Sequence, residues 1–146
     1  MATTYSVYGD ILGAIYAKYA ASSALYSLTA DATSMYFSEA PPGALMPYIV
    51  VDIIDIVPIY VFEAPGTPME EVRVSFFVAD QAADLTAISN IFNIIDALYG
   101  INGSALTFSS STYSRISSDK VMFLGFDRLD GVWSATADYI LHLQKL

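Results

Sequence analysis

The sequence predicts an α+β domain whose mainly antiparallel sheet, built around a long β-hairpin, carries two principal helices packed on one face. Three observations predict it. First, two β-type runs, MPYIVVDIIDIVPIYVF from Met46 and MEEVRVSFFVA from Met69, flank the turn material Ala64-Pro65-Gly66-Thr67-Pro68, the pattern of an antiparallel hairpin. Second, Leu85, Ile88, Ile91, Phe92, Ile95, Leu98 and Tyr99 form a stripe at helical spacing, with Asp84, Thr86, Asn90, Asn93 and Asp96 opposite it. Third, Asp130-Gly131 separates two further β-type runs and is a dipeptide that type I′ hairpin turns favour, because both central residues need φ > 0.

The elements follow in chain order. Ile11, Leu12, Ile15, Tyr16 and Tyr19 predict a first helix, with Ser6 or Asp10 available to cap it by accepting orphan backbone N–H bonds. Ala20 to Ala32 is rich in small residues around Leu25 and Leu28, and reads as a continuation of that helix or a second short one. Met35 to Phe37 reads as a short strand, and Glu39-Ala40-Pro41-Pro42-Gly43 as a loop, since its two prolines remove donors and fix φ. In the second hairpin strand Val72, Val74, Phe76 and Val78 share one face and Arg73, Ser75, Phe77 and Ala79 the other. Strict alternation along the first hairpin strand puts Ile49, Val51, Ile53, Val57, Ile59 and Val61 on one face and Val50, Ile54, Ile56, Tyr60 and Phe62 on the other, so both faces are apolar. Pro58 cannot donate to a ladder and marks an edge position or a bulge. Asp80 is expected to cap the main helix and Gly100 to end it. Strands are expected over Ala105–Ser110, Ser114–Asp127 and Val132–Leu143, the last alternating Trp133, Ala135, Ala137, Tyr139, Leu141 and Leu143 with polar neighbours.

The 146 residues fit a single domain spanning 1–146. Six basic residues against 15 acidic ones give a net charge of −9, which argues against the basic footprint of a nucleic-acid binder. With no Cys and one His, disulfide frameworks, zinc ribbons, Cys nucleophiles and multi-His metal sites are excluded. Charged residues make up 14 % of the chain, against about a quarter in an average soluble domain, while 55 % are hydrophobic. A domain of this size buries about 70 % of the surface its unfolded chain exposes, so some apolar surface is left over and needs a partner. No run reaches about 18 uncharged apolar residues, the length a membrane helix requires. Met1 to Asp10 lacks the basic start and apolar run of a signal peptide, so the expectation is a soluble, cytoplasmically made chain that assembles with protein.

Catalytic patterns find little support. Asp52 and Asp55, three apart on a regular strand, would lie on opposite faces, too far askew to share a proton or a metal, and read as charges that keep an apolar strand soluble. Asp127, Asp130 and Gly131 lack the remaining ladder of a calcium loop and read as turn residues. His142 has no Ser or Cys elbow to serve, and Gly100-Ile101-Asn102-Gly103 lacks the Lys-Ser/Thr tail of a phosphate loop. The expectation is therefore no enzyme, with no catalytic residue, metal or cofactor. The tyrosines suit a half-wet protein interface. Ile53, Val57, Ile59, Val61 and Phe77 are the expected subunit contacts, being apolar β positions in excess of what the helices can cover.

Over nearly its whole length the chain resembles the small tail-completion, or tail-terminator, proteins of long-tailed bacteriophages and gene-transfer particles. The resemblance is carried by the early helix Ile11 to Tyr19 and the short strand Met35-Tyr36-Phe37. It continues through the loop Ala40-Pro41-Pro42-Gly43-Ala44 and the Pro-Tyr-aliphatic start Met46-Pro47-Tyr48-Ile49-Val50-Val51. The helix from Asp84 closing on Leu98-Tyr99-Gly100 and the final hairpin Asp127 to Leu143 complete it. It implies a structural virion protein, assembled in the host cytoplasm, that forms a homo-oligomeric ring, commonly of six subunits. Such a ring caps the tail tube and joins it to connector or neck proteins of the head, and DNA passes through without being held. A net-acidic chain suits such a conduit, since carboxylate repels phosphate within a Debye length of about 10 Å. The alternatives are another neck or head-closure ring component and a small domain binding an apolar ligand.

Overall fold

The computed structural model describes residues 4–31, 33–59, 69–81, 85–99 and 113–145. Among these residues three helices, α1 (Thr4–Ala20), α2 (Ser23–Tyr26) and α3 (Thr86–Tyr99), accompany five strands: β1 (Met35–Phe37), β2 (Tyr48–Ile59), β3 (Met69–Asp80), β4 (Tyr113–Leu129) and β5 (Val132–Lys145). The strands form one sheet in the order β1-β2-β3-β5-β4. Only β1 runs parallel to its neighbour; every other adjacent pair is antiparallel. The expected α+β class and antiparallel sheet are therefore what the chain adopts.

The alternation read for β3 and β5 is what builds the core. Val72, Val74, Phe76 and Val78 stand opposite Leu141, Tyr139, Ala137 and Ala135 in register, and all eight are buried. Ile49, Val51 and Ile53 extend this face across β2, and Met35 across β1. Ile11, Ala14, Ile15 and Tyr19 of α1, Leu25 of α2 and Ile88, Ile91, Phe92, Ile95 and Tyr99 of α3 close over it. Phe76 is central: its ring lies 4.8 Å from that of Tyr99 and 5.6 Å from that of Tyr139.

Buried tyrosines fasten the helices by their polar tips. The Tyr99 hydroxyl donates to the Ile15 carbonyl at 2.8 Å, tying α3 to α1. Tyr19 reaches Thr29 Oγ1 at 2.7 Å and the Asp31 carbonyl at 2.8 Å, fixing the turn after α2, and Tyr139 hydrogen-bonds Asp96 on α3. Burial pushes the Tyr19, Tyr99 and Tyr139 hydroxyls above the usual tyrosine range, and the Asp96 bond adds to the effect at Tyr139. The same turn is held by the Asp31 carboxylate, which accepts from the Thr33 hydroxyl and amide and from Ser34, bonds that stabilise the charged form and hold its pKa below the ordinary carboxylate value.

Several local expectations are corrected. Helix α1 already runs from Thr4, so Ser6 and Asp10 sit inside it and neither caps it. Asp80 is no helix cap either: it ends β3 opposite Trp133, and Leu85, not Asp80, accepts the early α3 bond from Ser89. The stretch after α1 is a separate short helix, capped by the Ser22 side chain, which accepts from the Leu25 amide. The β2–β3 ladder shifts register between Ile53 and Asp55, four residues before Pro58, so the bulge is not at the proline. Beyond Val51 no described strand pairs with the far side of β2, which leaves Pro58 on an open edge, a place sheets tolerate proline. Asp130 and Gly131 have φ of +53° and +79°, the left-handed pair the turn requires. The turn at 64–68, the stop at Gly100 and the strand expected over Ala105–Ser110 lie outside the described residues.

Two measurements check this core. Phe76→Ala is expected to cost about 3–5 kcal/mol, the usual loss for emptying a buried aromatic site, read as a lowered urea midpoint at unchanged slope. For the tyrosines the sign follows from linkage: the unfolded chain ionises near pH 10 while the buried hydroxyls keep their protons, so the folded state binds more protons there. Their contribution is complete below about pH 10 and is lost as pH rises above it. Stability should thus fall above that pH, with part of the tyrosinate absorbance appearing only as the chain unfolds.

Candidate functional site

The surface left open is set by the one-sided placement of the helices. All three send their buried residues to the same face, so among the described residues no helix covers the opposite face of the sheet. That face carries Tyr48, Val50 and Asp52 of β2, Arg73, Ser75 and Phe77 of β3, and Ser134, Thr136, Asp138 and His142 of β5.

Polar pairs occupy its middle. Arg73 donates from Nε and Nη2 to Asp138 Oδ2 at 3.2 and 2.8 Å, a diagonal cross-strand pair whose carboxylate is almost buried. His142 Nε2 lies 3.2 Å from Glu71 Oε1, directly across the ladder. The bulge then matters for β2. Because Ile54 is the extra residue, Asp52 stands opposite Ser75 and Asp55 opposite Arg73, and both aspartates fall on the open face. The expectation that they lie on opposite faces is overturned for this reason. Downstream of the bulge the two sides exchange roles: Ile56 pairs with Val72 and packs against the core, while Val57, opposite Glu71, stands on the open side.

At the β1–β2 end of this face lies a groove of about 360 Å³. Tyr48, Val50, Ile54 and Phe77 give it apolar walls, and Glu39 and Asp52 put carboxylates among its lining. Ser38, whose φ of +68° turns the chain at the end of β1, lines it as well. A second hollow of about 260 Å³ opens on the helical side, where Phe92 of α3 meets Phe123 and Phe126 of β4 with ring centroids 5.2 and 6.3 Å away. No helix of the described residues is long and apolar enough to cross a membrane, and among them no cluster of three or more His, Asp or Glu could hold a metal.

Large exposed apolar side chains are unevenly distributed. Phe37 (37 % exposed), Leu45 (68 %), Ile54 (51 %) and Val57 (47 %) belong to β1, β2 and the loop joining them, while Phe123 (37 %) and Leu129 (72 %) belong to β4. Among the described residues β3, β5 and the helices contribute none. The large exposed apolar side chains of the described residues thus belong to the two outer parts of the sheet, β1–β2 and β4.

The five expected contact residues separate accordingly. Val57 is exposed on the open side of β2 and Phe77 is half-buried in the groove wall. Ile53, at 8 % exposure, is packed in the core of the single chain. Ile59 pairs with Met69 in the ladder, its side chain outside the described residues, as is all of Val61. Sequence reading missed Ile54 and Leu129. The first is turned outward by a bulge that alternation does not announce, whereas the second adjoins a recognisable Asp-Gly turn and was a findable signal.

No family model matches the chain, and no curated protein does. Its fold does have solved counterparts. A chain of the virion of a native gene transfer agent particle superposes with a TM-score of 0.75 at 15 % identity, over 97 % of this chain and 99 % of that one. A second solved chain, whose name carries no function, gives a TM-score of 0.57 at 11 % identity over 100 % and 97 %. These likenesses show the fold.

Proposed function

We infer that the chain is a structural subunit of a tailed-phage or gene-transfer particle, one that closes with copies of itself into a ring at the head-proximal end of the tail tube. The observation that carries this reading is the fold shared with a chain of the gene transfer agent virion, near-complete on both sides at 97 % and 99 %. A match confined to a common substructure would leave a large part of one chain over; the 97 % and 99 % coverage supports reading residues 1–146 as one domain of that kind.

The distribution of exposed apolar residues supports it. A protein that works alone has no use for large apolar side chains gathered on two opposite edges of its sheet, whereas a ring subunit needs two such surfaces, one for each neighbour. Val57 and Phe77 belong to these contacts, with Ile54 beside them, and Ile59 and Val61 extend the same hairpin; Ile53 does not take part. The ring ends tube polymerisation by offering one face that fits the last tube ring and another that fits a connector or neck protein. Six subunits is the number the tail-terminator resemblance implies. DNA is passing cargo, and the net charge of −9 keeps it from sticking. No bond is made or broken, so the protein acts as no enzyme and needs no cofactor. Its place is the virion, reached after assembly in the host cytoplasm.

Native mass spectrometry of the wild-type chain tests this directly. The expected species is a closed multiple of 15.8 kDa. A monomer carrying a bound small molecule would overturn the ring reading in favour of a ligand-binding domain, and a ring that binds head components but not tube protein would move it to the head-closure side of the neck. Val57→Asp should leave monomer stability within about 0.5 kcal/mol, as for an exposed site. It should weaken assembly tenfold or more, about 1.4 kcal/mol or above, by placing a charge in an apolar contact.

A further inference from the structure

We propose that the groove at the β1–β2 end of the open face is a docking site for an arginine side chain carried by an extended segment of a different protein. This docking does not depend on ring closure: Ile54 and Phe77 line the groove and also border the contact assigned to copies, so the occupant sits beside that contact.

The walls of the groove are fixed in place. The Ser38 amide donates to the Val51 carbonyl at 3.0 Å and the Glu39 amide to the Phe37 carbonyl at 2.8 Å, which with the φ of +68° at Ser38 holds the chain after β1 alongside β2. Tyr36 stands opposite Val50 in register, on the open side, and meets Tyr48 edge to face with ring centroids 6.0 Å apart. That contact sets the Tyr48 ring as a wall. A volume of about 360 Å³ is near the low end of ligand pockets, about 300–1,000 Å³, and suits one long side chain better than a cofactor.

Charge selects the side chain. Glu39 and Asp52 are both exposed and line the groove, which has no Lys, Arg or His in its lining. Among the described residues no side chain pairs with either carboxylate, and Arg73, opposite Asp55, already donates to Asp138. A group that suits both apolar walls and carboxylates has a long apolar stem and a cationic head. Arginine fits better than lysine: its planar guanidinium stacks on rings such as those of Tyr48 and Phe77 and carries donors for two carboxylates at once. A second copy is a poor source. It carries a net charge of −9, its Arg73 is paired with Asp138, and its Lys18 and Arg128 lie over the rings of Tyr99 and Trp133.

The edge of β2 favours an arginine that belongs to a protein. Beyond Val51 no described strand pairs with the far side of β2, so its backbone is open to an added extended segment. Every second side chain of such a segment points to the open face, where the groove lies.

Isothermal titration calorimetry of the full chain tests this with the peptide acetyl-Thr-Val-Arg-Val-Thr-amide. Saturable binding is expected, weaker by about tenfold or more when citrulline, the neutral isostere, replaces arginine, and weaker with lysine. Asp52→Asn and Glu39→Gln, both at exposed positions, should each weaken the arginine peptide without lowering the urea midpoint. Asp127→Asn, which removes an exposed carboxylate of β4, should leave binding unchanged. N-acetyl-arginine amide, which lacks the flanking backbone, should bind more weakly than the peptide. The proposal is overturned by equal binding of the citrulline or lysine peptide, by an equal loss in Asp127→Asn, or by no saturable heat up to about 10 mM peptide. Equal binding of N-acetyl-arginine amide would mean a site for a free small cation and would overturn the assignment to a protein segment. Dissociation of a wild-type assembly by the arginine peptide, or loss of assembly in Asp52→Asn, would place a second copy in the groove and overturn the assignment to a different protein.

Discussion

The molecule depends on the burial of one sheet face beneath α1 and α3, with Phe76 wedged between Tyr99 and Tyr139 at its centre. Side chains at such a site give up water on every side, and each fully buried aliphatic or aromatic contributes about 1.5–3 kcal/mol relative to exposure. The tyrosines add direction to that non-directional force. Tyr99 binding the Ile15 carbonyl and Tyr139 binding Asp96 fix where the helices lie along the strands, since their hydroxyls could not be buried without such partners. Because both main helices are committed to this face, the other face and the two edges are left to be managed by different means.

The chain manages the open face and the edges differently. In the middle of the open face, polar side chains and the pairs Arg73–Asp138 and Glu71–His142 make a surface that water can wet. At the edges apolar residues remain, Ile54 and Val57 on β2 and Leu129 on β4. The bulge between Ile53 and Asp55 is the device that produces this pattern on β2. One extra residue moves Ile56 inward to cover Val72, turns Val57 outward and brings Asp52 and Asp55 onto one side. A single backbone irregularity thereby converts a uniformly apolar strand into one with a buried half and an exposed edge guarded by carboxylates.

How much of this was legible in the sequence follows from the physics of each element. The β3 and β5 alternation and the α3 stripe were readable because period and burial coincide, and Asp130-Gly131 because its backbone geometry narrows the choice of residue. The faces of β2 beyond Ile53 were misassigned, since alternation presumes an unbroken ladder and both phases of that strand are apolar, so neither parity stood out. Asp80 as a cap failed for a related reason: an acidic residue before a helical stripe resembles a cap, but a strand that runs one residue further claims it first. The excess of apolar material was visible in composition alone. Its placement on two edges was not, because exposure there depends on which strands end the sheet, a property of strand order.

Strand order also gives the account its most direct test, hydrogen exchange by mass spectrometry on the wild-type chain, compared between dilute monomer and assembled particle. The account predicts that assembly slows exchange in β2 after Val51 and along β4, while α1, α3 and the central strands β3 and β5 keep their monomer rates. Slowed exchange across the helical face with the two edges unchanged would contradict it.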